Sequence, residues 1–490
     1  MYKPLPRLAI FFKRAAAYSS LSTAHSPLST AVPEVNHVPV LHSASHLFEA
    51  QDPYWQKIPR WRETGADRFV SHKWQMGNSV QSEKALCEFL STVLPSVIPP
   101  QIDMAPHLRI TDIQTPEHFI GRVRQGIKMA PMAVRLSPHI LSSIDWRDPV
   151  NDPIRRQFVP LSSPLNVNHP MAELDPMKEN TYSPVSGLIH RYPDRALFFA
   201  TSICPVYCRF CFRSYTVGAE TETVKKQRFL PLVKKWEPRF KYIEKTPALK
   251  DVVISGGDTY LLEPAQLEHI GERLLGIPHI RRFRFATKGL SVSPSRLLDP
   301  QDDWVDTVIK LEKKARRQGK HVCIHTHFNS ANEISWVTRH GAQRLYEAGV
   351  TVRNQTVLLN GVNNTPESMC RLVHALGDIN IQPYYVYQGD MVPGAEDLRT
   401  PMSDSLELER AVRGQIAGFL VPNFILDLPA EGGKRLTRGV ESYDRRLGLS
   451  KLTAPGLKGE PTTMQYWDPL WSLPEDGRAE VLGKYGGKMP

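Results

Sequence analysis

The chain has 490 residues, 41% hydrophobic and 23% charged, with a formal net charge of +11. Such length and balance exclude wholesale disorder, and no uninterrupted apolar run is long enough to cross a bilayer, so no membrane partner is expected. The basic excess does not form a nucleic-acid tract, because cations and acids are interleaved along the whole chain.

Residues 1–33 contain Lys3, Arg7, Lys13 and Arg14, and no acid precedes Glu34. The stretch PRLAIFFKRAAAYSS reads as an amphipathic basic helix with the composition of a mitochondrial transit peptide, which predicts a matrix location. A basic tail on a cytoplasmic protein is the plainer alternative. From 34 to 190 the sequence is rich in Pro and Trp and predicts helices at SEKALCEFLSTVL and PEHFIGRVRQGI. From 191 to 395 short apolar runs alternate with amphipathic stretches. ALFFATSI, DVVISG, RFRFAT, HVCIHTHF, VRNQTVLL and QPYYVYQ read as strands, with helical patterns such as PAQLEHIGERLL and DTVIKLEKKARRQ between them. This predicts an α/β fold, a partial (β/α)6 TIM-like barrel with a helical N-terminal extension. The segment 396–490 continues with the helix LELERAVRGQIAGFL, the strand-like NFILDLP and a glycine turn EGGKR, expected to close over the barrel mouth. After Leu449 no period stands out.

Reacting groups of parallel barrels sit on the loops leaving the carboxyl ends of the strands. There the sequence places Cys204, the turn Gly256-Gly257-Asp258, His327 and Asp390. Six cysteines in so long a chain do not make a secreted disulfide framework, and Cys204, Cys208 and Cys211 crowd one loop. Three thiols at this spacing suit a soft metal centre. Structural zinc wants four ligands and finds no partner pair nearby, whereas a disulfide would leave one thiol over. Three buried structural cysteines are the remaining alternative, against which Arg209 and Arg213 argue.

Cys204-Pro-Val-Tyr-Cys208-Arg-Phe-Cys211 resembles the cluster loop of the radical S-adenosylmethionine enzymes. The resemblance implies a 4Fe–4S cluster on Cys204, Cys208 and Cys211, with one iron left open for S-adenosylmethionine. Ser255-Gly256-Gly257-Asp258 is similar to that family's glycine motif, where bare backbone approaches the methionyl part of the cofactor. Between residues 144 and 438 the phrases SIDWRDPVNDPIRRQF, GLIHRYPDRALFFAT, HTHFNSANEI, NQTVLLNGVNN, PYYVYQGD and FILDLPAEGGK resemble the lysine 2,3-aminomutase family.

That likeness implies pyridoxal 5′-phosphate bonded to Lys434, with Gly432 and Gly433 giving it room and Arg195 on its phosphate. It implies Arg213 at the substrate α-carboxylate and Asp390 with Asp427 at the distal ammonium of L-lysine. Tyr387, Gln355 and His327 fall at family positions close to the cofactors. Plainer readings stand beside these: a surface lysine, an Arg195–Asp194 ion pair, a charge neutraliser beside the cluster, a turn-forming Asp. The implied reaction interconverts L-lysine and β-lysine and needs an electron donor. The alternatives are a relative acting on another amino acid or an inactive iron–sulfur scaffold. The family's zinc-binding cysteines near the C-terminus have no counterpart after Cys370, so no structural zinc is expected. A homo-oligomer is compatible with the resemblance.

Overall fold

The computed structural model describes residues 52–101, 109–454, 456–457 and 459–486, and the import-like segment lies outside them. Strands β2 (Arg195–Thr201), β3 (Asp251–Gly256), β4 (Arg282–Ala286), β5 (His321–Thr326), β6 (Thr351–Val357), β7 (Gln382–Tyr387) and β8 (Asn423–Leu428) pair in parallel in chain order. Two antiparallel strands border them, β1 (Leu188–Ile189) beside β2 and β9 (Gly433–Leu436) beside β8. The order runs from β1 to β9 without returning, so the barrel stays open on one side.

Among the described residues the helices of ten or more residues are α1 (Glu83–Val93), α2 (Pro116–Met129), α3 (Val233–Glu244), α4 (Pro264–Gly276), α5 (Trp304–Arg317), α6 (Trp336–Glu347), α7 (Pro366–Asp378), α8 (Met402–Gln415) and α9 (Glu475–Tyr485). In α4, Leu267, Ile270 and Leu274 recur at helical spacing and bury one face in the main core, together with Val252 and Ile254 of β3. Helix α7 starts on a reciprocal cap between Thr365 and Ser368. All six expected strands form.

Three features differ from expectation or go beyond it. NFILDLP does not close over the mouth; it becomes a seventh parallel strand, because α8 supplies Leu408 and Val412 to the core that takes Phe424. Lys434 lies on the antiparallel strand β9 and not in a turn, since the backbone after Gly433 can pair with the free edge of β8. The segment after Leu449 contributes β11 (Leu449–Thr453) and β12 (Thr463–Trp467) to a separate antiparallel sheet with β10 (Ser442–Asp444).

The N-terminal helices bear directly on the cysteine loop. Phe89 of α1 and Phe119 and Val123 of α2 share a second core with Val206, and Cys208 packs against it. Backbone amides of Tyr207 and Arg209 donate to the carbonyls of Arg135 and Gln157 at 3.1 and 3.0 Å. The extension is therefore the wall that shapes the loop.

Close packing makes one testable demand. A Cβ on Gly341 in α6 would lie 2.7 Å from Leu297 Cβ and 2.4 Å from its Cδ1. Gly to Ala in a helix ordinarily gains about 1 kcal/mol, but overpacking a buried contact costs about 1–3 kcal/mol. Gly341→Ala is expected to lower the melting temperature; a rise would show that the contact relaxes freely.

Candidate active site

Of the site residues singled out from the sequence, all but Gly432 and Gly433 border one cavity of about 370 Å³ at the carboxyl ends of the strands. Cys204, Cys208 and Cys211 lie on the loop after β2, none in a disulfide. Burial pushes each thiol up, Cys208 to about 12, so the bare thiols are neutral. An iron centre would reverse this, because a bound cation deprotonates its thiol ligands. Among the described residues no three His, Cys, Asp or Glu side chains converge on one metal ion. A cluster spreads its cysteines over several irons, and the donor set fits one.

Gly256 has φ +102° and its missing Cβ would lie 2.5 Å from Phe199 Cδ1, while that of Gly257 would lie 2.6 Å from Ile203 N and O. The glycines thus serve the protein's own packing as well as any ligand: the turn runs along the cysteine loop, with Asp258 N donating to Ile203 O at 2.9 Å. Asp258 is itself buried and accepts from the amides of Tyr260 and Lys288, each at 2.8 Å, which caps the turn. His327 follows β5 and stacks on Phe210 at 5.6 Å; its buried Nε2 has no partner, and burial holds the ring neutral. Gln355 Nε2 meets His325 Nδ1 at 3.2 Å.

A second part of the wall carries the charges. The β8–β9 register sets Asp427 opposite Lys434, and Lys434 Nζ bonds the Asp427 carboxylate. Arg191 Nη1 reaches the same carboxylate at 3.1 Å. Burial pushes Asp427 up, but the Lys434 ammonium and the Arg191 guanidinium outweigh it and hold the acid below its ordinary range. The same contact outweighs burial at Lys434 and keeps it an ammonium. Asp390 differs. It makes no side-chain hydrogen bond or ion pair with a described residue, and burial, then the charge of Asp427, raise it to about 7. Tyr387 presents its ring 5.3 Å from Lys434 Nζ.

Arg195 stacks on Tyr192 at 4.1 Å and lies 3.7 Å from Asp194, too far for a hydrogen bond, and its shielded Nε has no hydrogen-bond partner. A guanidinium fork with spare donors on a cavity wall fits a phosphate. The space beside Gly432 is filled by Leu428 Cβ, which a Cβ there would approach to 2.4 Å, so this glycine answers to the chain's own packing and not to the cofactor room expected of it.

Two charged residues escaped the sequence reading. Glu179 grips Arg213 through Nε and Nη2 at 2.9 and 2.8 Å, and Tyr215 donates to Glu179 at 2.8 Å. Arg213 Nη1 points to Ser255 Oγ at 3.3 Å. Glu179 lies in no motif; Arg191 sat inside GLIHRYPDR, four residues before Arg195, and its place in that phrase was its one signal. Side-chain exposures of 12% and 7% for Arg213 and Glu179 mark a pair whose disruption strands a buried charge. Glu179→Ala should therefore cost about 3–5 kcal/mol in chemical unfolding, and Glu179→Gln, which keeps the shape and one acceptor but removes the anion, nearly as much. A Glu179→Gln variant as stable as the natural protein would refute the charge argument.

No model of a protein family matches the chain. Among solved structures, that of Streptococcus suis SuiB bound to S-adenosylmethionine aligns over 48% of this chain and 51% of that one at 17% identity and TM-score 0.35, too loosely to carry an argument. Curated relatives are much nearer. The L-lysine 2,3-aminomutase of Clostridium subterminale is 39% identical over 349 residues, 71% of this chain and 77% of that one. That of Acetoanaerobium sticklandii is 34% identical over 406 residues, 81% and 87% of the two chains. The glutamate 2,3-aminomutase of Clostridioides difficile is 32% identical over 331 residues, 66% and 74%. With identity of this degree spanning most of its own length and most of theirs, the chain belongs to the L-lysine 2,3-aminomutase family.

Proposed function

We propose that the protein is an isomerase that moves the amino group of L-lysine between C2 and C3, giving β-lysine, with an iron–sulfur cluster, S-adenosylmethionine and pyridoxal phosphate as its cofactors. The carrying observation is Asp390, an acid with no side-chain partner among the described residues, on the wall that also bears Asp427, Lys434 and the three cysteines. Cys204, Cys208 and Cys211 would hold the cluster, and Ser255 to Asp258 with His327 and Gln355 would border S-adenosylmethionine. Lys434 would bond pyridoxal phosphate, with Tyr387 beside it and Arg195 on the phosphate. When bound, these groups supply a carbon-centred radical that removes hydrogen and a π-system on which nitrogen migrates.

The chain's own residues orient the substrate. Glu179 occupies one edge of the Arg213 guanidinium and leaves Nη1 toward the cavity for a carboxylate. Asp390 and Asp427 favour a distal ammonium, and would repel a distal carboxylate, so charge selects lysine over glutamate.

The first test is anaerobic incubation of reduced, reconstituted protein with the three cofactors and L-lysine. β-Lysine should form with the natural chain and fall to background in Cys208→Ala and Lys434→Ala. Deoxyadenosine without β-lysine would reject lysine as substrate; neither product from a preparation with an intact cluster would favour the scaffold reading.

Asp390 gives a pH signature. Its carboxyl, facing Asp427, Lys434, Arg191 and Arg399, is raised to about 7, so it is charged above that pH and neutral below. Attraction for an ammonium is present above about 7 and lost below, and the KM for lysine should rise as pH falls through that range. Asp390→Asn should show a high KM at every pH; a pH-independent KM in the natural protein would remove Asp390 from substrate binding.

A further inference from the structure

The segment from Lys225 to Lys235 is laced to the cysteine loop. Ser202 N donates to Phe229 O at 2.9 Å, and Phe229 N returns a bond to Ser202 Oγ at 2.8 Å, two residues before Cys204. Gln227 N donates to Tyr215 O at 3.2 Å, on the far side of Cys211. The segment is thus the outer wall of the loop. Its surface is unusual: Leu230, Leu232 and Val233 are 54%, 50% and 41% exposed, and Ile203, next to Cys204, is 37% exposed. Lys225, Arg228, Lys234 and Lys235 flank the strip's apolar residues in the chain, exposed and in no ion pair with a described residue, and no acid occurs between Val224 and Trp236. Glu220 and Glu222 lie before the buried Val224.

Apolar side chains framed by unpaired cations make a poor solvent face but a good docking face for an acidic partner. The loop behind it is where an electron must arrive. We infer that Ile203 and the strip Lys225–Lys235 form the docking surface for an acidic, low-potential electron-carrier protein, a flavoprotein or ferredoxin. The inference rests on the reading of the cysteines as cluster ligands. In the step it serves, one electron leaves the carrier, which is oxidised, and enters the cluster, which is reduced; the proteins exchange no atoms. A small patch suffices, because transient electron-transfer contacts bury less than about 1,200 Å².

The test compares two reductants on the full-length, cluster-loaded protein, with cluster bleaching followed by rapid mixing. One is a reduced carrier, flavodoxin or ferredoxin, both acidic; the other is photoreduced deazaflavin, small and uncharged. In the variant Lys225→Glu, Arg228→Glu, Lys234→Glu, Lys235→Glu the carrier-driven rate should fall at least about tenfold at low salt. The natural protein's rate should itself fall as salt is added. The deazaflavin-driven rate should stay the same. Leu232→Ser with Val233→Ser, which keeps the charges, should also weaken carrier binding in titration calorimetry. Equal carrier-driven rates in natural and charge-reversed protein, or failure of both carriers on the natural protein, would overturn the assignment. So would an altered oligomeric state of the variant with an unchanged carrier rate, which would give the strip to contact between copies. Failure of deazaflavin to bleach any cluster would instead sink the cysteine reading, and this surface with it.

Discussion

An open barrel has two free edges, and one guanidinium ties them together. Arg191 leaves β1 and donates to the carbonyls of Leu428 and Ala430 and to the carboxylate of Asp427, across the side that the sheet does not close. Three bonds in fixed planar geometry are what Arg provides and Lys does not. Its charge is buried, so it requires the anion of Asp427. Asp427 then draws Lys434 to the same point, and the paired register of β8 and β9 makes that encounter inevitable. The position of the lysine on which the proposed chemistry turns is in this sense a consequence of how the barrel's open side is held.

The cavity wall sorts its charges into two kinds. Arg213 with Glu179, and Arg191 with Asp427 and Lys434, satisfy one another. Among the described residues Asp390 has no side-chain partner, and the shielded Nε of Arg195 has no hydrogen bond, only the carboxylate of Asp194 at 3.7 Å. Buried polar groups are rarely left without partners unless a ligand supplies them. The two groups have opposite sign and spare capacity for an ammonium and an anion, which an amine-bearing substrate and a phosphate-bearing cofactor would fill. The paired groups are held in place by one another before anything enters, and the groups with spare capacity add to the selection of what does.

The sequence revealed the strands because alternating apolar runs and amphipathic helices carry their period locally, and the cysteine and glycine motifs because their spacing is local too. It did not reveal that β9 would pair with β8, since EGGKR is a turn by composition and a strand only when an edge is offered to it. Glu179 was invisible for the same reason in stronger form, and Arg191 was marked only by its place in GLIHRYPDR. The bond from Arg191 to Asp427 joins residues 236 apart, and no periodicity reports such a partner. The glycines were legible as special positions, yet their reason was half hidden: the Cβ atoms of Gly256 and Gly257 would strike Phe199 and Ile203, which only the folded loop brings near.

The least legible segment has the most pointed consequence. The sheet of β10, β11 and β12 carries no motif and lies beyond the phrases shared with the family. Yet Tyr466 of β12 donates to the carbonyl of Gly389 at 2.8 Å, and Gln388 meets the Tyr466 hydroxyl at 3.2 Å, which pins the loop just before Asp390. Arg399, paired with the buried Glu396, bonds the carbonyl of Trp467 on the same strand. The sheet fixes the loop that carries Asp390, and burial is the largest cause of that residue's raised pKa. A change in the packing of β12 would therefore alter recognition of a cation in the cavity while leaving every cavity-lining side chain in place. Divergence after the barrel is a route by which members of one family can retune substrate charge selection without touching the machinery beneath it.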